Sequence, residues 1–211
     1  MEKNYRKLGY IFLLIIPLTI IGFYPSYFGL FPEFNEYIDT LVHLHFFLSA
    51  LWIAILIAQP LLIVNKKYKW HKLIGKSTYI VFPLWILSFL VMIYKVIEKE
   101  DYDYLVFPIG NMLILIILYF LAIKHRKTTA KHMRYMISSA IVLIDPTIGR
   151  WTFNIFENDL IAMPITYAIM NLILIGLIFM DKRNGKDYQP YVEALICFLL
   201  YNIAFFIVYL N

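Results

Sequence analysis

Residues 104–124 read YLVFPIGNMLILIILYFLAIK, twenty-one residues with no charge before the final lysine. A helix needs about 20 mostly apolar residues to cross the hydrocarbon core of a bilayer, and this stretch supplies them unaided. Its flanks differ in sign. Residues 98–103 are EKEDYD, and residues 124–127 are KHRK. One apolar run with an acidic approach and a basic exit is the pattern that repeats along the chain.

Working outward, six further segments have the same length and character: about 9–30, 37–64, 76–97, 133–156, 160–180 and 190–210. With 104–124 they make seven predicted spans, and nothing remains for a soluble domain. The loops alternate. Lys3, Arg6 and Lys7 precede the first span, and Glu33 and Glu36 follow it. Lys66, Lys67, Lys69, Lys72 and Lys76 follow the second, whereas Glu98, Glu100, Asp101 and Asp103 follow the third. Lys124, Arg126, Lys127, Lys131 and Arg134 follow the fourth, Glu157 and Asp159 the fifth, and Lys182, Arg183 and Lys186 the sixth. In all, 16 of the 19 Lys and Arg residues fall on one side, the exceptions being Lys95, Lys99 and Arg150. The positive-inside rule makes that side cytoplasmic. The expectation is an all-α, seven-span bundle in the cell's inner (cytoplasmic) membrane, with the amino terminus in the cytoplasm and Asn211 outside.

Composition agrees. Of 211 residues, 62% are hydrophobic and 16% charged, more apolar surface than a soluble domain of this size can hide. The net charge of +5 is spent in short clusters between apolar runs, which reads as topology and argues against a nucleic-acid partner. Tyr and Trp gather near span ends, among them Tyr5, Tyr10, Tyr37, Tyr68, Trp70, Tyr102, Tyr104, Trp151 and Tyr191, as an interfacial belt. Cys197 is the one cysteine, so the chain has no internal disulfide and no cysteine metal site. The basic Met1–Lys7 segment resembles a signal peptide, but the apolar run continues to about Leu30 without a small-x-small cleavage pattern, which predicts a retained span. Pro17 and Pro25 are expected to bend the first span, and Pro146 the fifth.

Polar residues within spans carry the functional information, because in lipid they turn toward other helices or a cavity. On the second span His45, Ser49, Trp52 and Gln59 share a face, while His43 points nearly opposite. This stripe is either interhelical hydrogen bonding or, at His45, a group that titrates, ligates or relays protons. The fifth span carries Asp145 and Arg150 around Pro146. With His45 and with Asn111 of the fourth span they form a predicted polar cluster in the outer half, either a binding site or a structural ion pair. A second predicted cluster, on the cytoplasmic side, comprises Gln59, His71, His132 and Glu193. Glu193 also reads as an acid favourable at a helix start, and His125 as part of a basic loop. Phosphate loops, HExxH, GxSxG and paired carboxylates at catalytic spacing are absent from the sequence. The last span lacks both the His pair of zinc-dependent seven-span hydrolases and the retinal lysine of rhodopsins.

One set of residues is shared with a known family. Gln59 follows His45 by fourteen residues; His71-Lys72-Leu73-Ile74-Gly75 comes next, with Tyr79 beyond. His132-Met133-Arg134-Tyr135-Met136 lies further on, with Arg150 eighteen residues after His132. Over residues 40–152 this resembles a bacterial family of integral membrane proteins of unknown function, marked by a His-to-Gln span, a His-Arg-x-x-Gly turn and a His-x-x-Trp-Met helix ending in Arg. Lys72, Tyr135 and Ser138 depart from that pattern, standing where Arg, Trp and a second Arg are usual. The four-helix core is distantly similar to transmembrane b-type cytochromes. That similarity implies haem b held by His71 and His132 as iron ligands on the cytoplasmic side, and electron transfer. Two other functions stand beside it. One is a proton-coupled or small-molecule transporter using His45, Asp145 and Arg150. The other is an assembly factor bound to a membrane respiratory complex.

Overall fold

The fold is described by a computed structural model covering residues 2, 5–34 and 38–210. Lys3, Glu36, Tyr37 and Asn211, invoked above for topology, lie outside the described residues. Every regular element among the described residues is helical. The helices are α1 (Leu8–Phe12), α2 (Ile15–Phe23), α3 (Thr40–Val64), α4 (Tyr68–Glu98), α5 (Val106–Lys124), α6 (Thr129–Ile141), α7 (Ile144–Phe156), α8 (Asp159–Arg183) and α9 (Gln189–Tyr209). Short 3-10 turns occupy Phe28–Leu30 and Tyr102–Leu105.

Five of these helices are long and apolar enough to cross a membrane: α3, α4, α5 with its preceding turn, α8 and α9. Their outward faces carry large apolar side chains such as Phe47, Phe120, Leu172, Phe179 and Leu200. Soluble proteins do not leave so much contiguous apolar surface in water, so the chain is a helical membrane protein.

Two predicted spans are not single helices. Residues 9–30 divide into α1, α2 and a 3-10 turn, with the break at Leu13–Leu14. Residues 133–156 divide into α6 and α7, with the break at Val142–Leu143. Each break lies just ahead of a proline, Pro17 or Pro146. A proline ring collides with the carbonyl four residues back and offers it no N–H. At the second break Leu143 and Asp145 turn to 3-10 partners, bonding Ala140 and Val142 at 3.2 Å each. Pro60 and Pro83, by contrast, pass within the continuous helices α3 and α4.

The chain forms two compact units, Met1–Lys99 and Glu100–Asn211. In the first, α3 and α4 pack antiparallel. Trp52 and Trp85 stack with ring centroids 5.2 Å apart, and Trp85 Nε1 donates to Ser49 Oγ at 2.9 Å. Asp39 caps α3 by accepting from the Leu41 and Val42 N–H groups, and it meets Lys95 Nζ of α4 at 2.9 Å. In the second unit α5 pairs with α6, α7 with α8, and α9 packs on α5, α6 and α8. The α7–α8 pair is pinned by Thr152 Oγ1, which lies 3.1 Å from Thr166 Oγ1 and 3.3 Å from the Ala162 carbonyl.

Candidate functional site

Asp145 is a buried carboxylate on which side chains from two neighbouring helices converge. It stands in the first turn of α7, where the helix dipole favours an anion, and only 3% of it is exposed. Two other helices reach its Oδ2. Asn111 Nδ2 donates to it from α5 at 2.5 Å, and the Tyr201 hydroxyl donates from α9 at 2.8 Å. Oδ1 of Asp145 and Oδ1 of Asn111 are buried, and each lacks a hydrogen-bond partner. Gly149, one turn along α7, presents no side chain here; a Cβ at that position would lie 3.9 Å from Asp145 Oδ1 and 3.3 Å from Met163. Tyr167 of α8 packs its ring against Tyr201 at 5.3 Å. Arg150, half-buried and five residues along α7, adds a positive charge that acts on the carboxylate through space.

Of the four residues expected in one outer cluster, the structure therefore joins Asn111 directly to Asp145. The Asp145 hydrogen bonds go to Asn111 and Tyr201 rather than to Arg150. His45 belongs to the first unit, where its Nδ1 lies 2.8 Å from Ser88 Oγ. His43, on the other side of α3, meets the Tyr27 hydroxyl at 2.7 Å among the rings of Phe34 and Phe46.

The residues expected in the second cluster are also found in local contacts. Gln59 Nε2 donates to the His71 carbonyl at 3.3 Å across the α3–α4 turn. In the second unit His132 Nδ1 lies 2.9 Å from the Ala122 carbonyl. Glu193 accepts a hydrogen bond from the Tyr135 hydroxyl at 2.7 Å, and His125 stacks on the Tyr135 ring. Among the described residues no group of three or more His, Cys, Asp and Glu is placed to hold a metal ion.

Sequence reasoning missed two partners. Tyr201 stands within the apolar run 190–210 as one aromatic among many, although a tyrosine in mid-span needs a partner for its hydroxyl. The second miss is the pair of Arg134 on α6 and Asp181 on α8. Arg134 was read as a loop cation, yet both side chains are fully buried, with Nε to Oδ2 at 2.6 Å. Arg134 also donates from Nη1 to the Ala130 carbonyl at 3.0 Å. An acid in the last turn of a helix, beside Lys182 and Arg183, was the available signal.

Compared with protein-family models, with curated proteins and with solved structures, the chain matches none.

Proposed function

We propose that this chain is an ion-coupled transporter of a small solute in the cytoplasmic membrane, with Asp145 as the central site residue and Asn111 and Tyr201 as its partners. The observation that carries the reading is a helix interrupted at Val142–Leu143 with a buried carboxylate at the break, held by side chains from two other helices. Interrupted helices in lipid are tolerated where they are buried in protein or line a cavity, and transporters commonly place binding sites at such interruptions. An ionisable group kept within the membrane points to a transport path. Arg150 supplies a counter-charge near the site.

The same reading takes α6 and α7 together as one interrupted crossing and α1 with α2 as another. Added to the five long helices, that makes seven, with the basic loops in the cytoplasm and the carboxyl terminus outside. The test is flux in proteoliposomes of the purified chain, using solutes first selected by thermal shift. The parent should carry a solute and collapse an imposed ion gradient with it, and Asp145→Asn should do neither. Undiminished flux in Asp145→Asn would overturn the proposal.

A second reading, haem b with His132 as an iron ligand, is favoured by one observation. The short contact of His132 Nδ1 with the Ala122 carbonyl fixes the tautomer that leaves the Nε2 lone pair for a metal. Haem bound there would carry single electrons. A Soret band in protein from haem-replete cells, lost in His132→Ala, is its test; colourless protein would sink it.

A further inference from the structure

We infer that the ion coupled at this site is a proton, taken up on Asp145 Oδ1 beside the amide of Asn111. The inference rests on the transport reading above and names its ion. Because Asn111 Nδ2 donates to Asp145 Oδ2, the amide orientation is fixed by chemistry, with the nitrogen toward the carboxylate and the oxygen elsewhere. The two remaining oxygens, Asn111 Oδ1 and Asp145 Oδ1, are both buried and both without a partner. Both are acceptors, so neither can satisfy the other. Whatever relieves them must donate or carry positive charge, since a buried polar atom left unmade costs about 1–3 kcal/mol.

A carboxyl and a primary amide complement each other fully once the carboxyl bears one hydrogen. The amide N–H donates to one carboxyl oxygen, and the carboxyl O–H donates back to the amide oxygen. One of those two bonds is already present. A single proton makes Asp145 Oδ1 a donor, the kind of group that a buried amide oxygen without a partner calls for. Uptake forms an Oδ1–H bond and turns the carboxylate into a neutral acid. Oδ2 keeps its bonds from Asn111 and Tyr201, and no electrons move. Calcium and magnesium take about six or more oxygen ligands, more than these two orphaned side-chain oxygens provide.

The groups that face Asp145 from its neighbours are consistent with a change of charge there. Asn111 on α5 and Tyr201 on α9 donate to it, Tyr167 on α8 backs Tyr201, and among the described residues Arg150 on α7 is the cation that acts on it. Protonation removes the attraction between Asp145 and Arg150.

Infrared difference spectra of the full chain in liposomes, recorded while stepping the pH in choline chloride or in sodium chloride, test the assignment. Acidification should raise a carboxyl C=O band that is lost in Asp145→Asn and displaced in Asn111→Ala. Replacing choline by sodium should leave it unmoved. Tyr201→Phe keeps the acid and should shift the same band, so the assignment survives a poorly folded Asp145 variant. A band unaffected by Asp145→Asn in folded protein, or one abolished by sodium at fixed pH, overturns the proton. The two proposals fail separately. The band without any flux retains the proton site and overturns transport, whereas flux without the band does the reverse.

Discussion

Arg134 Nε donates to Asp181 Oδ2 at 2.6 Å, and neither side chain has exposed surface. The pair ties the first turns of α6 to the last turn of α8. Removing one member of a buried pair strands the other charge and costs about 3–5 kcal/mol, whereas replacing both by apolar groups is often neutral or stabilising. Arg134→Ala and Asp181→Ala should each lower the melting temperature in detergent strongly. Arg134→Met combined with Asp181→Leu should recover most of the loss. Equal melting temperatures for the parent and both single variants would show that the contact holds nothing together.

Asp39, just ahead of the first residue of α3, offers a pH-dependent contact. Its hydrogen bond with the Lys95 ammonium, and next the Val42 N–H, hold its carboxyl below the usual aspartate range. A carboxyl depressed by folding contributes stability that is present above its unfolded value and lost as the pH falls through its folded value. Melting temperatures of the parent should therefore fall on acidification below the ordinary aspartate range. Asp39→Asn keeps an acceptor for the α3 cap but loses the ion pair, so its curve should start lower and be flatter there. Matching acid limbs for the two proteins would remove this role from Asp39.

Gly110 stands one residue before Asn111, where a Cβ would run into Cε2 and Cδ2 of the Tyr201 ring. Overpacking of this kind costs about 1–3 kcal/mol, and here the displaced ring carries the hydroxyl that binds Asp145. Gly110→Ala should lower both the melting temperature and the flux, with Tyr201→Phe reducing flux more than stability. Full activity of Gly110→Ala would mean that Tyr201 can be displaced without consequence for the site.

Orientation is open to chemical labelling. In a Cys197→Ser background, cysteines introduced at Glu100, Lys127 and Lys186 report on three loops. With the amino terminus inside, an impermeant maleimide added to intact cells should label Glu100→Cys alone and reach the other two only after lysis. Labelling of Lys127→Cys in intact cells would reverse the topology.

The apolar runs at 37–64, 76–97, 104–124, 160–180 and 190–210 were legible because length and hydropathy alone define a long helix in lipid. Their ends were not, since α4 starts at Tyr68, well inside the lysine-rich loop. There Tyr68, Trp70 and the lysine stems suit an interface that a hydropathy reading treats as loop. The breaks at Leu13–Leu14 and Val142–Leu143 were legible as prolines but not as positions, because the ring acts on a carbonyl upstream of it. Asn111 and Asp145 could be matched by depth from one surface. Tyr201 could not, because a tyrosine's apolar ring hides its hydroxyl in any count of polar residues. Arg134 and Asp181 were obscured by context: a cation amid cations reads as surface until its acid is found 47 residues away.

The interruption between α6 and α7 also bears on motion. An intact helix such as α9 can bend sharply only by exposing peptide groups to hydrocarbon, which offers them nothing in exchange. At Val142–Leu143 the regular ladder has already been given up, and Leu143 and Asp145 have settled on substitute partners. A change of tilt between the two halves therefore sacrifices few further backbone bonds. The acid beside this joint sits where a small electrostatic event has the most mechanical leverage.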